Sequence, residues 1–159
     1  MNVRDLMSWE VRACHADSDL GTAAMIMWDQ DCGIVPIVDK GNRLIGVVTD
    51  RDVSIATATK NRAPSTIKIR EILGKPPRTC RPDDEVRAAM ETMAEARVRR
   101  LPVVDKSGEL CGILSLNDII RHTRTNGLRG APDIGPLDVL RVLQAISRHR
   151  AEPALAGAT

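Results

Sequence analysis

The sequence predicts an α/β fold made of two copies of one unit, related by a pseudo-twofold axis. Each copy is a small sheet packed against helices, and a C-terminal helix follows. Three observations predict this. The first is a repeat: residues 36–52, PIVDKGNRLIGVVTDRD, recur as residues 102–118, PVVDKSGELCGILSLND, at a constant offset of 66 residues. The register carries outward without a gap, so Arg4 falls on Arg70, Arg12 on Arg78, Cys14 on Cys80, Asp17 on Asp83, Ala23 on Ala89 and Met27 on Met93. Two copies of this length do not make a solenoid; they favour units that face each other. The second observation is that each copy holds two short β-branched-rich runs separated by turn residues, the pattern of a β-hairpin. The third is that helical periodicity flanks these runs, as an α/β architecture requires.

Taken in order, the chain divides into a first repeat (1–60), a linker (61–68), a second repeat (69–125) and a C-terminal loop, helix and frayed tail (126–159). Val3 to Met7 reads as a short turn. Asp17-Ser18-Asp19 places acids where a helix begins, and that helix is expected to run to about Gln30. Its middle, Ala23 to Trp28, is apolar on every side. Such a helix needs two partners, and the second is expected to be another copy of the chain, with Met27 on the shared face. The strands Ile34–Val38 and Leu44–Val48 follow, joined by a turn at Asp39–Asn42; Pro36 argues for an edge or initiating position. In the second repeat Pro82-Asp83-Asp84-Glu85 opens an ordinary amphipathic helix with Val86, Ala89, Met90 and Met93 in one stripe. The homodimer is expected to use both of these helices and those that follow Asp52 and Asp118. Gly135-Pro136 opens the last helix, expected to reach Arg150, with an apolar Leu140/Leu143/Ile146 stripe that must dock on something.

After each hairpin stands a Ser/Thr-x-x-Asp motif: Thr49-Asp50-Arg51-Asp52 and Ser115-Leu116-Asn117-Asp118. One reading is a helix cap, in which the hydroxyl takes a backbone N–H and the acid three residues later reaches back. The other uses the same atoms for a ligand: a hydroxyl and free N–H groups at a helix start favour an anion, and the aspartate can accept from a ribose diol. Each copy resembles a cystathionine-β-synthase-type (CBS) domain, and the pair resembles a stand-alone Bateman module. The resemblance rests on VRDLM (3–7) and IREIL (69–73), GIVPIVD (33–39) and RLPVVD (100–105), and the two stretches 46–52 and 112–118.

That resemblance implies a non-catalytic regulatory module that binds AMP, ADP, ATP or another adenosyl compound in clefts between the repeats and signals by conformational change. The base slot is expected between Ala13, Cys14, Ile34 and Pro36 in one copy, and between Thr79, Cys80, Leu101 and Pro102 in the other. Asp52 and Asp118 would hold ribose hydroxyls, and Thr49 and Ser115 would face phosphate. Arg51 adds charge in the first cleft; Asn117 replaces it in the second, where Arg99 and Arg100 are the cations available to compensate. The competing reading is a structural or adaptor protein whose clefts bind nothing and whose helices bind a partner protein, an unknown regulated target.

Composition narrows the remaining classes. Trp9 and Trp28 are the only aromatic residues, so no stacking platform for nucleic-acid bases exists. Six arginines and three acids from Arg121 onward leave the repeat body near neutral, without a polyanion footprint. Cys14, Cys32, Cys80 and Cys111 form no C-x-x-C pair and no His cluster accompanies them, which argues against a metal site and for buried thiols in a reducing compartment. No catalytic residues are expected: the three histidines do not repeat, and no nucleophile motif or Gly-rich phosphate loop occurs. Met1 to Glu10 has no apolar signal core and no run approaches a membrane span, so a cytoplasmic location is expected.

Overall fold

The computed structural model describes residues 1–123 and 134–148. The first repeat contains β1 (Cys14–His15), α1 (Leu20–Asp29), β2 (Ile34–Val38), β3 (Leu44–Thr49) and α2 (Asp50–Lys60). The second contains α3 (Val86–Ala96), β4 (Arg100–Val104), β5 (Leu110–Ser115) and α4 (Leu116–His122), and α5 (Pro136–Ser147) follows. β1 runs parallel to β2, and β2 pairs antiparallel with β3. In the second repeat β4 and β5 pair in the equivalent register, and a parallel bridge from Cys80 to Val103 stands where β1 does in the first. β2 is therefore central, not an edge strand. Pro36 is tolerated because β1 meets only Ile37 and Val38, so no partner asks for the missing N–H.

The turn chemistry is the same in both hairpins. Asp39 Oδ1 accepts from the N–H groups of Gly41 and Arg43, and Asp105 Oδ1 from those of Ser107 and Glu109. The left-handed positions fall on Asn42 (φ 60°) and Gly108 (φ 86°), residues that tolerate them. The two turns then bind each other across the pseudo-twofold axis: Leu44 N–H donates to Gly108 O, and Leu110 N–H donates to Asn42 O, both at 3.0 Å.

The segment before each repeat packs on the other repeat. Val3 and Arg4 donate to the carbonyls of Asp84 and Pro82, while Ile69 and Arg70 donate to those of Ser18 and Ala16. Arg4 pairs with Asp83, and Arg70 with Asp17. Val3, Leu6 and Met7 join the second repeat's core, with Met90, Met93, Leu101 and Leu114; Ile67 and Ile69 join the first repeat's, with Leu20, Ile26, Val35 and Ile37. Gly112 and its equivalent Gly46 let these arms pass close over the strands.

α1 does not bury all its apolar residues. Leu20, Ala23, Ile26 and Met27 face the sheet, while Met25 and Trp28 point to solvent, Trp28 being 83% exposed. Met27 therefore belongs to the core of its own repeat, and the outward face is Met25, Trp28 and, from α2, Ile55. At the equivalent places the second repeat has Glu91, Ala94 and Arg121, and α5 lies over that side against α3 and α4. α5 docks through Val139 and Val142, with Leu143 and Ile146 beside them; Leu140 of the expected stripe is half-exposed instead. Asp138 fixes the start of α5 by accepting from Gly135 N–H at 2.9 Å and by pairing with Arg87. The helix ends at Ser147, and the expected positions of Arg150, of most of the loop from Asn126 and of the tail lie outside the described residues. Among the described residues no helix is long and apolar enough to cross a membrane.

Candidate functional site

Strand alternation decides which side chains reach the clefts. On β3, Gly46 and Val48 are buried while Val47 and Thr49 face outward; on β5, Gly112 and Leu114 are buried while Ile113 and Ser115 face outward. Each outward pair lines a cleft whose opposite wall comes from the other repeat. The Thr49 cleft, about 320 Å³, is closed by Pro77, Arg78, Val98 and Pro102. The Ser115 cleft, about 280 Å³, is closed by Val11, Arg12, Ile26 and Cys32. Val11, Arg12 and Cys32 are equivalent to Pro77, Arg78 and Val98 at the 66-residue offset, whereas Ile26 and Pro102 each line one cleft without a counterpart in the other. Ile34 and Arg100, themselves an equivalent pair, line both clefts and so form the wall between them.

Both Ser/Thr-x-x-Asp motifs form capping boxes. Asp52 Oδ2 accepts from Thr49 N–H (2.9 Å) and Oγ1 (2.7 Å), and Thr49 Oγ1 accepts from Asp52 N–H (3.2 Å). Asp118 and Ser115 repeat this at 2.9, 2.6 and 3.1 Å. Each box uses only Oδ2 of its aspartate. Oδ1 has no partner among the described residues, so a cap and a ligand contact are compatible. Asp118 lines the Ser115 cleft and is half-buried, while Asp52 is exposed and lines neither cleft, although its capping partner Thr49 lines the first.

Of the residues expected at the site, Ile34, Thr49 and Pro102 line the first cleft, and Ile34, Ser115, Asn117 and Asp118 the second. The others lie elsewhere. Cys14 and Leu101 are in the two cores, because β1 and β4 turn those side chains inward. Cys80 is buried in the same way, and burial, with Asp84 adding, pushes its thiol pKa up to about 12. Burial raises Cys14 as well. Thr79 faces a depression beside the turn at Asp105, Pro36 is buried within its sheet, and Ala13 and Arg51 line neither cleft. Arg99 faces the Thr49 cleft rather than the Ser115 cleft, and Arg100 faces both. The residues that sequence reasoning missed, Val11-Arg12 and Pro77-Arg78, precede the predicted positions by two and are themselves equivalent. Their repetition, including an arginine in both copies, was a usable signal.

Comparison with known proteins fits this geometry. The CBS domain profile matches residues 3–58 and 69–124. The chain is 35% identical over 95 residues to the uncharacterized protein MK0525 of Methanopyrus kandleri, covering 60% of this chain and 48% of that one, so it spans about half that relative's length. It is 32% identical over 130 residues to the uncharacterized protein YlbB of Bacillus subtilis, covering 81% and 86% of the two chains. Among solved structures, the CBS domain pair of protein MJ0100 in complex with 5′-methylthioadenosine and S-adenosyl-L-methionine superposes with a TM-score of 0.69 at 27% identity, covering 76% of this chain and 94% of that one. Two profile matches, one on each copy of the internal repeat, together with that shared fold, show that the chain belongs to the CBS domain family and carries the domain as a tandem pair.

Proposed function

We propose that the chain is a non-catalytic regulatory module that binds an adenine nucleotide or related adenosyl ligand in its clefts and signals by a change in conformation. The observation that carries this is the pair of related clefts, each joining a capped helix start from one repeat to a wall of apolar and charged side chains from the other. Their volumes, about 320 and 280 Å³, are near the lower end for small-molecule sites. A base lies between Val47, Pro77 and Val98 in one cleft, or Ile113, Val11 and Ile26 in the other. The ribose diol donates to the free Oδ1 of Asp52 or Asp118, and the phosphate or other 5′ group approaches Thr49 or Ser115. Adenosyl ligands bound to the CBS pair of protein MJ0100 support the ligand class.

The same reading extends to assembly. A second copy packs on Met25, Trp28 and Ile55, an apolar face that α5 leaves open while it covers the equivalent side of the second repeat. A regulated target protein would read the resulting dimer. Four cysteines without a disulfide suit work in the cytoplasm.

The test is calorimetry and thermal shift on protein unfolded and refolded to strip carried-over ligand, with AMP, ADP, ATP and S-adenosylmethionine. Ligand at about 100 times its Kd should stabilise the fold by about 2.7 kcal/mol. No response to any of them overturns the proposal and leaves the adaptor reading, which the fully formed capping boxes favour.

A further inference from the structure

The two clefts are alike in fold and unlike in charge balance: one is cationic and the other balanced. Lys75, Arg78, Arg99 and Arg100 wall the Thr49 cleft, and no carboxylate lines it. The ion pairs among the described residues use other cations: Arg4, Arg12, Lys60, Arg62, Arg70 and Arg87. The acids at the adjoining helix start are partly engaged, Asp50 by the Arg51 N–H (2.7 Å) and Asp52 by Thr49. In the Ser115 cleft the cations Arg12, Arg100 and Arg121 are matched by Glu10, Asp31 and Asp118, and Arg12 already pairs with Asp29 at 3.1 Å. Arg100 lines both clefts, so the difference traces to other positions: where the second repeat has Lys75 and Arg99 the first has Trp9 and Gly33, and where the first has Glu10 and Asp31 the second has Pro76 and Arg97.

We infer that the clefts take different ligands: the Thr49 cleft a compound with two or more linked phosphates, and the Ser115 cleft an adenosyl compound with at most one. This rests on the adenosyl reading above and adds a division of labour to it. Four cations in one cleft with no ion pair among the described residues repel each other until an anion enters, and guanidinium–phosphate contacts are among the strong charge-assisted ones. The eleven-residue helix α2 starts at the same cleft and favours the same sign of ligand. A polyphosphate in the Ser115 cleft would instead meet three carboxylates. The recognised chemistry is the linked phosphate chain, which a nucleoside triphosphate and inorganic tripolyphosphate share.

The test titrates full-length protein, stripped of ligand, with ATP, AMP, S-adenosylmethionine and tripolyphosphate, comparing wild type with the Lys75→Gln/Arg99→Gln double variant. Both residues are exposed, so the fold should be retained, which circular dichroism checks. ATP and tripolyphosphate should bind the variant about tenfold or more weakly, while AMP and S-adenosylmethionine change less than about threefold. Added salt should weaken ATP more than AMP. Tripolyphosphate should compete with ATP and not with S-adenosylmethionine. If ATP binds wild type no more tightly than AMP, or both weaken equally in the variant, the division between clefts is overturned and the adenosyl reading stands. If tripolyphosphate binds through these residues but no adenosyl compound binds anywhere, the cationic site stands and the adenosyl reading falls. If nothing binds, both fall.

Discussion

The carbonyl oxygen of Ser8 lies against the α-carbon of Gly112, leaving no room for a side chain there. Ser8 and Ile113 hold that approach by exchanging both backbone hydrogen bonds, at 2.9 and 3.0 Å. Gly112→Ala should therefore push the N-terminal arm off β5 and cost about 1–3 kcal/mol. At the equivalent Gly46, an added methyl meets only the tip of the Leu73 side chain, which can rotate away. Gly46→Ala should cost less than Gly112→Ala. Urea denaturation of the two variants checks the order, and equal losses would contradict it.

The exchanged arms should matter through their apolar residues rather than their charges. Ile69 is fully buried in the first repeat's core, so Ile69→Ala should cost about 2–5 kcal/mol. The loss of amide protection should appear in α1, β2 and β3, not in the second repeat to which Ile69 belongs by sequence. Arg4 and Asp83 are both substantially exposed, and their pair should contribute under about 1 kcal/mol in a double-mutant cycle.

Asp52 and Asp118 should show two separable effects. Asp52→Ala removes one half of a capping box and should lower stability by about 1 kcal/mol without ligand. It should also weaken nucleotide binding about tenfold or more, since a charge-assisted contact to ribose is lost. The expected loss for Asp118→Ala is at least as large, because Asp118 lines its cleft and is half-buried. Calorimetry finding the stability change with unaltered affinity would reduce both aspartates to caps.

Association should respond to the outer face of α1 and not to its inner one. Trp28→Glu should shift the protein to monomer in light scattering while leaving its melting temperature nearly unchanged, because Trp28 is largely exposed among the described residues. Met27→Glu should unfold it, since Met27 is buried under the first repeat's sheet. A wild type that is monomeric at micromolar concentration would refute the proposed interface.

Acid should loosen the caps and turns together. Thr22 N–H holds the Asp19 carboxyl below its ordinary range, Lys68 N–H and then Arg62 do so for Glu71, the Ser107 hydroxyl for Asp105, and Gly135 N–H for Asp138. Each pKa is depressed on folding, so its contribution is present above the unfolded pKa and is lost as pH falls through the folded one. Thermal midpoints should stay level from neutrality to about pH 5 and fall below about pH 4. A midpoint that rises on acidification would contradict this.

The repeat, the hairpins and the capped helix starts were legible because each is local: Pro36 to Asp52 carries its strands, turn and cap within one stretch. The base slots were not, because adjacency in sequence suggested that Cys14 and Thr49 share a cleft. Crossed packing instead brings Thr49 to Pro77 and Ser115 to Val11. Periodicity cannot show which repeat an arm docks on, since the docking is a non-local choice. Likewise the apolar run at Ala23–Trp28 signalled a surplus of apolar surface but not which residues form it; the helix phase places Met27 inside and Trp28 outside.

The crossed arms have a consequence for how one repeat could exist by itself. Cut away from its neighbour, a repeat keeps an arm with nothing to dock on and a core with one segment missing. It would have to borrow both from a second molecule, and its survival would depend on abundance. Residues 61–68 remove that dependence by tethering the two halves, so that they meet at a local concentration set by the tether's length. Fusion thus turns a partnership that dilution could dissolve into one that dilution cannot touch.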